Sequence, residues 1–158
     1  TPLYSSAASD VYKRQAMPYV YESGIISAPR QQVWEHIRDF NALPKWHPAI
    51  ATSQLEGSTG VGVVRHFFLV GGGELREKLL GLSDQECSCS YTILESPMPL
   101  TNYLATLKLY PITTTQETFM EWYAYFDATD LASAAETVQT VHNVFASGIE
   151  SLRKFYSA

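Results

Sequence analysis

The chain has 158 residues, of which 46% are hydrophobic and 13% aromatic, and a formal net charge of −5. This length and apolar content favour a single domain with a substantial core. The acidic balance argues against a nucleic-acid surface, which needs clustered Lys and Arg to neutralise phosphates. No apolar run reaches about 18 residues, so the sequence predicts no transmembrane segment.

The N-terminal segment is predicted to lie outside the domain. Residues 1–16 show no periodicity and precede Met17, a natural start, and the stretch DVYKRQ resembles a translated transposon-end sequencing adapter. We expect residues 1–16 to be a non-native leader and residues 17–158 to form one domain. The segment lacks the basic-then-apolar order of a signal peptide, so a cytoplasmic location is expected.

The first predicted elements are a strand and a short helix. Residues 19–27 alternate well enough for a strand. Ser27 and Pro29 suit the N-cap and first turn of a helix. Apolar residues then recur at helical spacing at Val33, Trp34, Ile37 and Phe40.

Six further strands are predicted in a meander. They cover residues 50–57, 61–70, 74–84, 87–96, 102–112 and 116–128. The triplet Gly71–Gly73 lacks the Gly-Lys-Ser/Thr ending of a phosphate-binding loop and precedes a strand, so it is interpreted as a hairpin turn. Cys87 and Cys89 are predicted on one face of the fifth strand. They have no partners at zinc spacing, and neither a metal nor a cofactor is expected.

The last predicted element is a long amphipathic helix from about Leu131 to Tyr156, capped by Asp130. The apolar stripe of this helix must be buried against another element of the fold. The sequence therefore predicts an α+β fold in which a highly curved, seven-stranded antiparallel sheet surrounds this helix and leaves room for an internal cavity.

Several stretches, in order along the chain, resemble one known family. These are DFNALPKWHPAI, GVGVVRHFFLVGGGELREKLLGLSD, SYTILESPMPLTNYLATLKLYP and MEWYAYFDA. They are similar to the polyketide cyclase/dehydrase and lipid-transport family, of the START-like, birch-allergen-like helix-grip superfamily, from about Tyr19 to Tyr156. The resemblance implies the helix-grip fold. It leaves open whether the domain is a carrier, a receptor or a cyclase.

Strand parity places an acid and a base inside the sheet. Arg76 and Lys78 are expected to face solvent, which turns Glu77 inward. Pairing across the three-glycine loop puts Arg65 on the same face as Glu77. The pair either fixes the sheet register or anchors a ligand at the floor of an apolar pocket. His66, on the face opposite Arg65, and His36 are expected to face solvent.

The loop at residues 39–50 is predicted to plug one end of the cavity. Leu43, Pro44 and Trp46 form the plug, and His47, held between Trp46 and Pro48, is expected to offer a donor and an acceptor at the rim. A purely structural loop remains an alternative. The complete set of predicted ligand-binding residues is Trp46, His47, Arg65, Phe67, Glu77, Leu79, Tyr103, Leu107, Trp122, Phe126, Val138, Val141, His142 and Phe145.

The expected activity is binding of a hydrophobic small molecule, such as a lipid, sterol-like or polyketide-like compound. The family name also suggests cyclisation or dehydration, in which Glu77 acts as base and His47 or Tyr103 supplies a proton or stabilises an enolate. Contact between Arg65 and Glu77 indicates an anchor, and separation indicates a base. A third alternative is a protein-interaction module, which an exposed apolar patch over a filled interior favours.

Overall fold

The computed structural model describes residues 17–157, so the predicted leader at residues 1–16 lies outside it. The chain opens with strand β1 (Tyr19–Ile26) and helix α1 (Arg30–Ile37). A 3-10 turn at Phe40–Ala42 then leads into the single-turn helix α2 (Leu43–Trp46). Two strands follow, β2 (Ile50–Glu56) and β3 (Val64–Leu69).

Four longer strands and a helix complete the chain. The strands are β4 (Glu74–Ser83), β5 (Ser88–Glu95), β6 (Leu100–Ile112) and β7 (Glu117–Ala128). A 3-10 turn at Leu131–Ser133 precedes the 22-residue helix α3 (Ala134–Phe155).

The strands form one antiparallel sheet in the order β1-β7-β6-β5-β4-β3-β2. This curved sheet and the long C-terminal helix confirm the predicted α+β helix-grip fold. The apolar stripe of α3, which includes Val141, Phe145, Ile149 and Leu152, is buried in the same core as the inward face of the sheet. Helix and sheet are therefore two walls around one interior.

The predicted pairing of β3 with β4 is confirmed. Arg65 lies directly opposite Glu77. The turn between the strands includes Gly71, Gly72 and Gly73, whose φ angles are 90°, 108° and 103°. Residues with a Cβ rarely adopt this left-handed backbone, so the glycines set the turn and, through it, the register.

Two predictions about the ends of elements were wrong. Ser27 does not cap α1: Pro29 occupies the N-cap position, and the Ser27 hydroxyl instead lies 3.5 Å from a Glu117 carboxylate oxygen. Cys87 does not share a strand face with Cys89. It lies in the turn before β5 with φ of 50°, and its thiol is directed to the Asp84 carbonyl oxygen at 3.5 Å.

The expectation that His66 faces solvent was also wrong. The residue lies on the outer face of the sheet but is only 7% exposed. Its Nε2 is 2.7 Å from a Glu74 carboxylate oxygen, and its Nδ1 is 3.3 Å from Glu56. Long side chains from the two neighbouring strands thus cover this imidazole.

Candidate functional site

A cavity of about 220 Å³ lies between α3 and the sheet. Its lining comes from strands β2 to β7, from the segment before β2, from the β5–β6 loop and from α3. Pro97 and Thr140 are exposed and Met98 and Val144 are half-buried, so we place the mouth of the cavity between the β5–β6 loop and α3. Its walls are almost entirely apolar, which matches the usual lining of small-molecule sites.

The floor of this cavity carries one buried ion pair. Arg65 Nη2 lies 2.7 Å and Arg65 Nε 2.9 Å from Glu77 Oε1, and both residues are at most 6% exposed. Register explains the contact, because the two residues are direct cross-strand neighbours. This contact is the arrangement expected if Glu77 is an anchor rather than a base.

The protein holds Arg65 rigidly from the side away from Glu77. Arg65 Nη1 donates to the Phe40 carbonyl oxygen at 3.1 Å. The guanidinium carbon lies 3.9 Å from the centre of the Phe40 ring and 4.9 Å from that of Tyr91. Cation–π contact of this kind stabilises a desolvated guanidinium. Arg65 thus supports the floor through three of its five N–H groups and through its ring contacts.

Glu77 has one carboxylate oxygen that receives no hydrogen bond from the described residues. Arg65 Nε donates to Oε1, the shortest ion-pair contact of Arg65 Nη2 is with the same oxygen, and no hydrogen bond within residues 17–157 reaches Oε2. Burial raises the pKa of Glu77 above its ordinary value, and the Arg65 charge opposes that rise. Because Arg65 stays protonated, loss of the Glu77 charge would leave a buried guanidinium unpaired, so we assign Glu77 as a carboxylate at neutral pH.

Two tyrosines and a tryptophan add further polar groups to the lining. Trp122 Nε1 donates to the Tyr91 hydroxyl at 3.0 Å, and the rings of Tyr91 and Tyr103 lie 6.2 Å apart. Burial raises the pKa of both tyrosines well above the ordinary value. Their hydroxyls therefore stay neutral and act as hydrogen-bonding groups.

His47 lines the cavity, but both of its nitrogens are occupied. Nε2 lies 2.7 Å from the Val144 carbonyl oxygen, so it carries the proton and donates. Nδ1 accepts from the Ala49 backbone N–H at 3.1 Å. Burial lowers the pKa of this imidazole and keeps it neutral. The predicted rim histidine with a free donor and acceptor is instead 1% exposed and fastens its loop to α3.

Gly148 on α3 makes this fastening possible. A Cβ at this position would lie 2.7 Å from His47 Cδ2 and 2.8 Å from Trp122 Cζ3. Trp122 also stacks on Phe145, with ring centres 4.6 Å apart. The absence of a side chain at Gly148 lets α3 approach the two rings that form this cavity wall.

The structure places eight of the predicted ligand-binding residues on the cavity wall: His47, Arg65, Phe67, Glu77, Tyr103, Trp122, Val141 and Phe145. Six others lie away from it: Trp46, Leu79, Leu107, Phe126, Val138 and His142.

The prediction was wrong for these six residues because periodicity gives the face of a strand or helix on which a side chain lies. It does not give the position of the cavity along that element. Trp46 and Leu107 meet on the other side of Trp122, in a small gap of about 20 Å³. His142 turns away from the cavity, and its Nδ1 lies 2.9 Å from a Glu22 carboxylate oxygen.

Sequence reasoning missed several wall residues. Among them are Ala49, Ile50, Leu69, Leu75, Tyr91, Ile93, Met98, Thr140 and Val144. Strand alternation could have identified Tyr91, because this residue lies on the same face of β5 as Ile93. Periodicity carries no signal for the loop and helix residues at the mouth, because several chain segments meet there.

Other kinds of site have little support in the described part of the chain. Residues 17–157 contain no group of three His, Cys, Asp or Glu side chains placed to hold a metal ion. Within the same residues, no helix is both long and apolar enough to cross a bilayer.

Comparison with known proteins extends over nearly the whole domain. The chain is similar to the solved structure of the protein XoxI from Bacillus cereus, at 30% identity and a TM-score of 0.81, covering 87% of this chain and 94% of that one. An uncharacterised protein from Bacillus thuringiensis gives 30% identity, coverage of 88% and 98%, and a TM-score of 0.81. A protein from Nitrosospira multiformis is 28% identical, with a TM-score of 0.77, and the match covers 89% of this chain and 97% of that one.

No curated protein matches the chain. The family described as polyketide cyclase / dehydrase and lipid transport matches residues 17–155, the whole of the β1-to-α3 domain. With the helix-grip fold and the apolar cavity, this match confirms the resemblance found in the sequence. The chain belongs to the polyketide cyclase/dehydrase and lipid-transport family.

Proposed function

We propose that the domain binds an apolar small molecule in the cavity between α3 and the sheet. The observation that carries the proposal is an apolar space of about 220 Å³ with an ion pair at its floor. Burial of the ligand's apolar surface supplies affinity, at roughly 25 cal/mol per Å² before the costs of association. The floor supplies orientation.

The volume limits the size of the ligand. A cavity of about 150 Å³ holds benzene, so by proportion the present space of about 220 Å³ suits roughly nine non-hydrogen atoms, and its open mouth admits a few more. This is smaller than a sterol. Bicyclic aromatic and medium-chain aliphatic compounds are therefore the first classes to test.

The open interior, rather than the outer surface of the sheet, favours ligand binding over partner docking. Tyr19, Tyr21, Tyr123 and Tyr125 form an aromatic cluster on β1 and β7, in which Tyr19 and Tyr125 are exposed. Glu121 accepts hydrogen bonds from the hydroxyls of Tyr21 and Tyr110 at 2.8 and 2.9 Å, so these two hydroxyls are paired with a carboxylate. The interior beneath is open, whereas a docking module is expected to have a filled one.

Native mass spectrometry of protein from a heterologous host, with thermal shifts for a panel of aromatic and aliphatic compounds, tests the proposal. We expect a retained species or a rise in Tm with at least one class. Val144→Phe, which places a large side chain at the cavity mouth, is expected to reduce binding about tenfold or more. Asn143→Phe, on the exposed side of the same helix, is the matched control. Absence of any bound species and of any shift would contradict the proposal.

A further inference from the structure

At the floor of the cavity, the Glu77 carboxylate has an oxygen that can accept a hydrogen bond from a ligand, whereas most Arg65 donors already have acceptors. Glu77 is 4% exposed, yet its Oε2 lacks a partner among the described residues. Glu77 lines the cavity, and a carboxylate oxygen without a protein donor in an apolar space is less well solvated than in bulk water. A ligand that brings an O–H or N–H to this point supplies the missing donor.

Arg65 is a poor anchor for an anionic ligand. Its Nε and Nη2 face Glu77 and its Nη1 donates to the Phe40 carbonyl, so three of its five N–H groups already have an acceptor. The ion pair is neutral as a whole, so a ligand carboxylate would add an uncompensated negative charge next to Glu77 in an apolar space. Desolvation and repulsion both oppose such a ligand.

From this geometry we propose that the cavity selects uncharged ligands whose hydroxyl or similar group donates a hydrogen bond to Glu77 Oε2. The same site discriminates against carboxylates such as fatty-acid anions. The inference rests on the proposed function, because it assigns the ligand class of the same cavity. Alcohols and phenols of bicyclic size meet both the volume and the polarity of the site.

Three probes of nearly equal size test the selection by isothermal titration at neutral pH. The probe 2-naphthol carries the donor, 2-methoxynaphthalene lacks it, and 2-naphthoate carries a negative charge. A hydrogen bond to a charged acceptor predicts that 2-naphthol binds about tenfold or more tightly than 2-methoxynaphthalene. We expect 2-naphthoate to bind most weakly of the three.

A double variant assigns the preference to the ion pair. Glu77→Gln alone leaves Arg65 unpaired and risks loss of the fold, whereas Arg65→Met with Glu77→Leu replaces the pair by apolar groups of similar size. In this double variant the advantage of 2-naphthol over 2-methoxynaphthalene is expected to disappear. Arg76→Met with Glu95→Leu removes a matched ion pair, joined at 2.6 Å on the outer face, and should leave the preference unchanged.

Each outcome is decisive. Equal affinity for 2-naphthol and 2-methoxynaphthalene, or binding of 2-naphthoate as tight as that of 2-naphthol, would overturn the selection while the binding function stands. If none of the three probes nor any member of the wider panel binds, the proposed function itself is overturned, and the selection with it.

Discussion

Replacing Gly148 with Ala tests whether α3 is pressed against the cavity wall. The added Cβ would lie 2.7 Å from His47 Cδ2 and 2.8 Å from Trp122 Cζ3. Both rings are buried, at 1% and 2% exposure, so neither can swing into solvent. The helix must move away from the sheet, or the rings must leave their present positions.

The expected magnitude is the difference between two opposing effects. Ala in place of Gly favours a helix by about 1 kcal/mol. Overpacking a rigid core costs about 1–3 kcal/mol. Weakening the 2.7 Å hydrogen bond from His47 to the Val144 carbonyl adds about 1 kcal/mol to that cost. We therefore expect the free energy of unfolding to fall by about 1–3 kcal/mol, and Tm by roughly 3–9 °C.

Chemical denaturation followed by Trp fluorescence measures this change. Asn143→Ala is the matched control, because Asn143 is on the exposed side of α3 and its substitution raises helix propensity without entering the core. Its stability is expected to stay equal or rise slightly. Should Gly148→Ala also be as stable as the parent or more stable, the close approach of α3 to His47 and Trp122 would be refuted.

Three further predictions follow from the buried polar groups. Arg65→Met alone is expected to lower the free energy of unfolding by about 3–5 kcal/mol, and the double variant with Glu77→Leu is expected to recover most of that loss. Urea denaturation of both variants measures the two losses, and equal losses would refute the prediction. Burial lowers the pKa of His47 below the ordinary 6.5, so the folded state resists protonation and its stability falls as pH drops below about 6.5. The stability advantage of the parent protein over the His47→Gln variant should therefore shrink between pH 7.5 and pH 5.5. An advantage that grows toward acidic pH would contradict the assignment. Burial raises the pKa of Cys87 and raises that of Cys89 to about 11, so native protein should react with a thiol reagent at pH 8 far more slowly than unfolded protein, and equal rates would show that the thiols are accessible.

The sequence was sufficient to predict the fold and the floor of the cavity. Strand alternation places Arg65 and Glu77 on one face, and the short glycine turn allows one parity of pairing, so their contact follows from local rules. The stripe of α3 is likewise a matter of helical period. These features depend on few residues that are close together in the chain.

The mouth of the cavity could not be predicted in this way. Ala49, Met98 and Val144 come from three segments about 45 to 50 residues apart, and only the curvature of the sheet brings them together. The state of His47 depends on a carbonyl 97 residues later in the chain. The cover over His66 comes from side chains on neighbouring strands, which alternation alone does not describe.

The most direct test of the account is the location of a bound probe. Intermolecular NOEs from 2-naphthol to the methyl groups of Val141, Ile93 and Met98 are predicted, because these side chains line the cavity from α3, β5 and the β5–β6 loop. NOEs confined to the tyrosine cluster of β1 and β7, or chemical-shift changes on that face alone, would contradict the claim that this domain takes an apolar ligand into its interior.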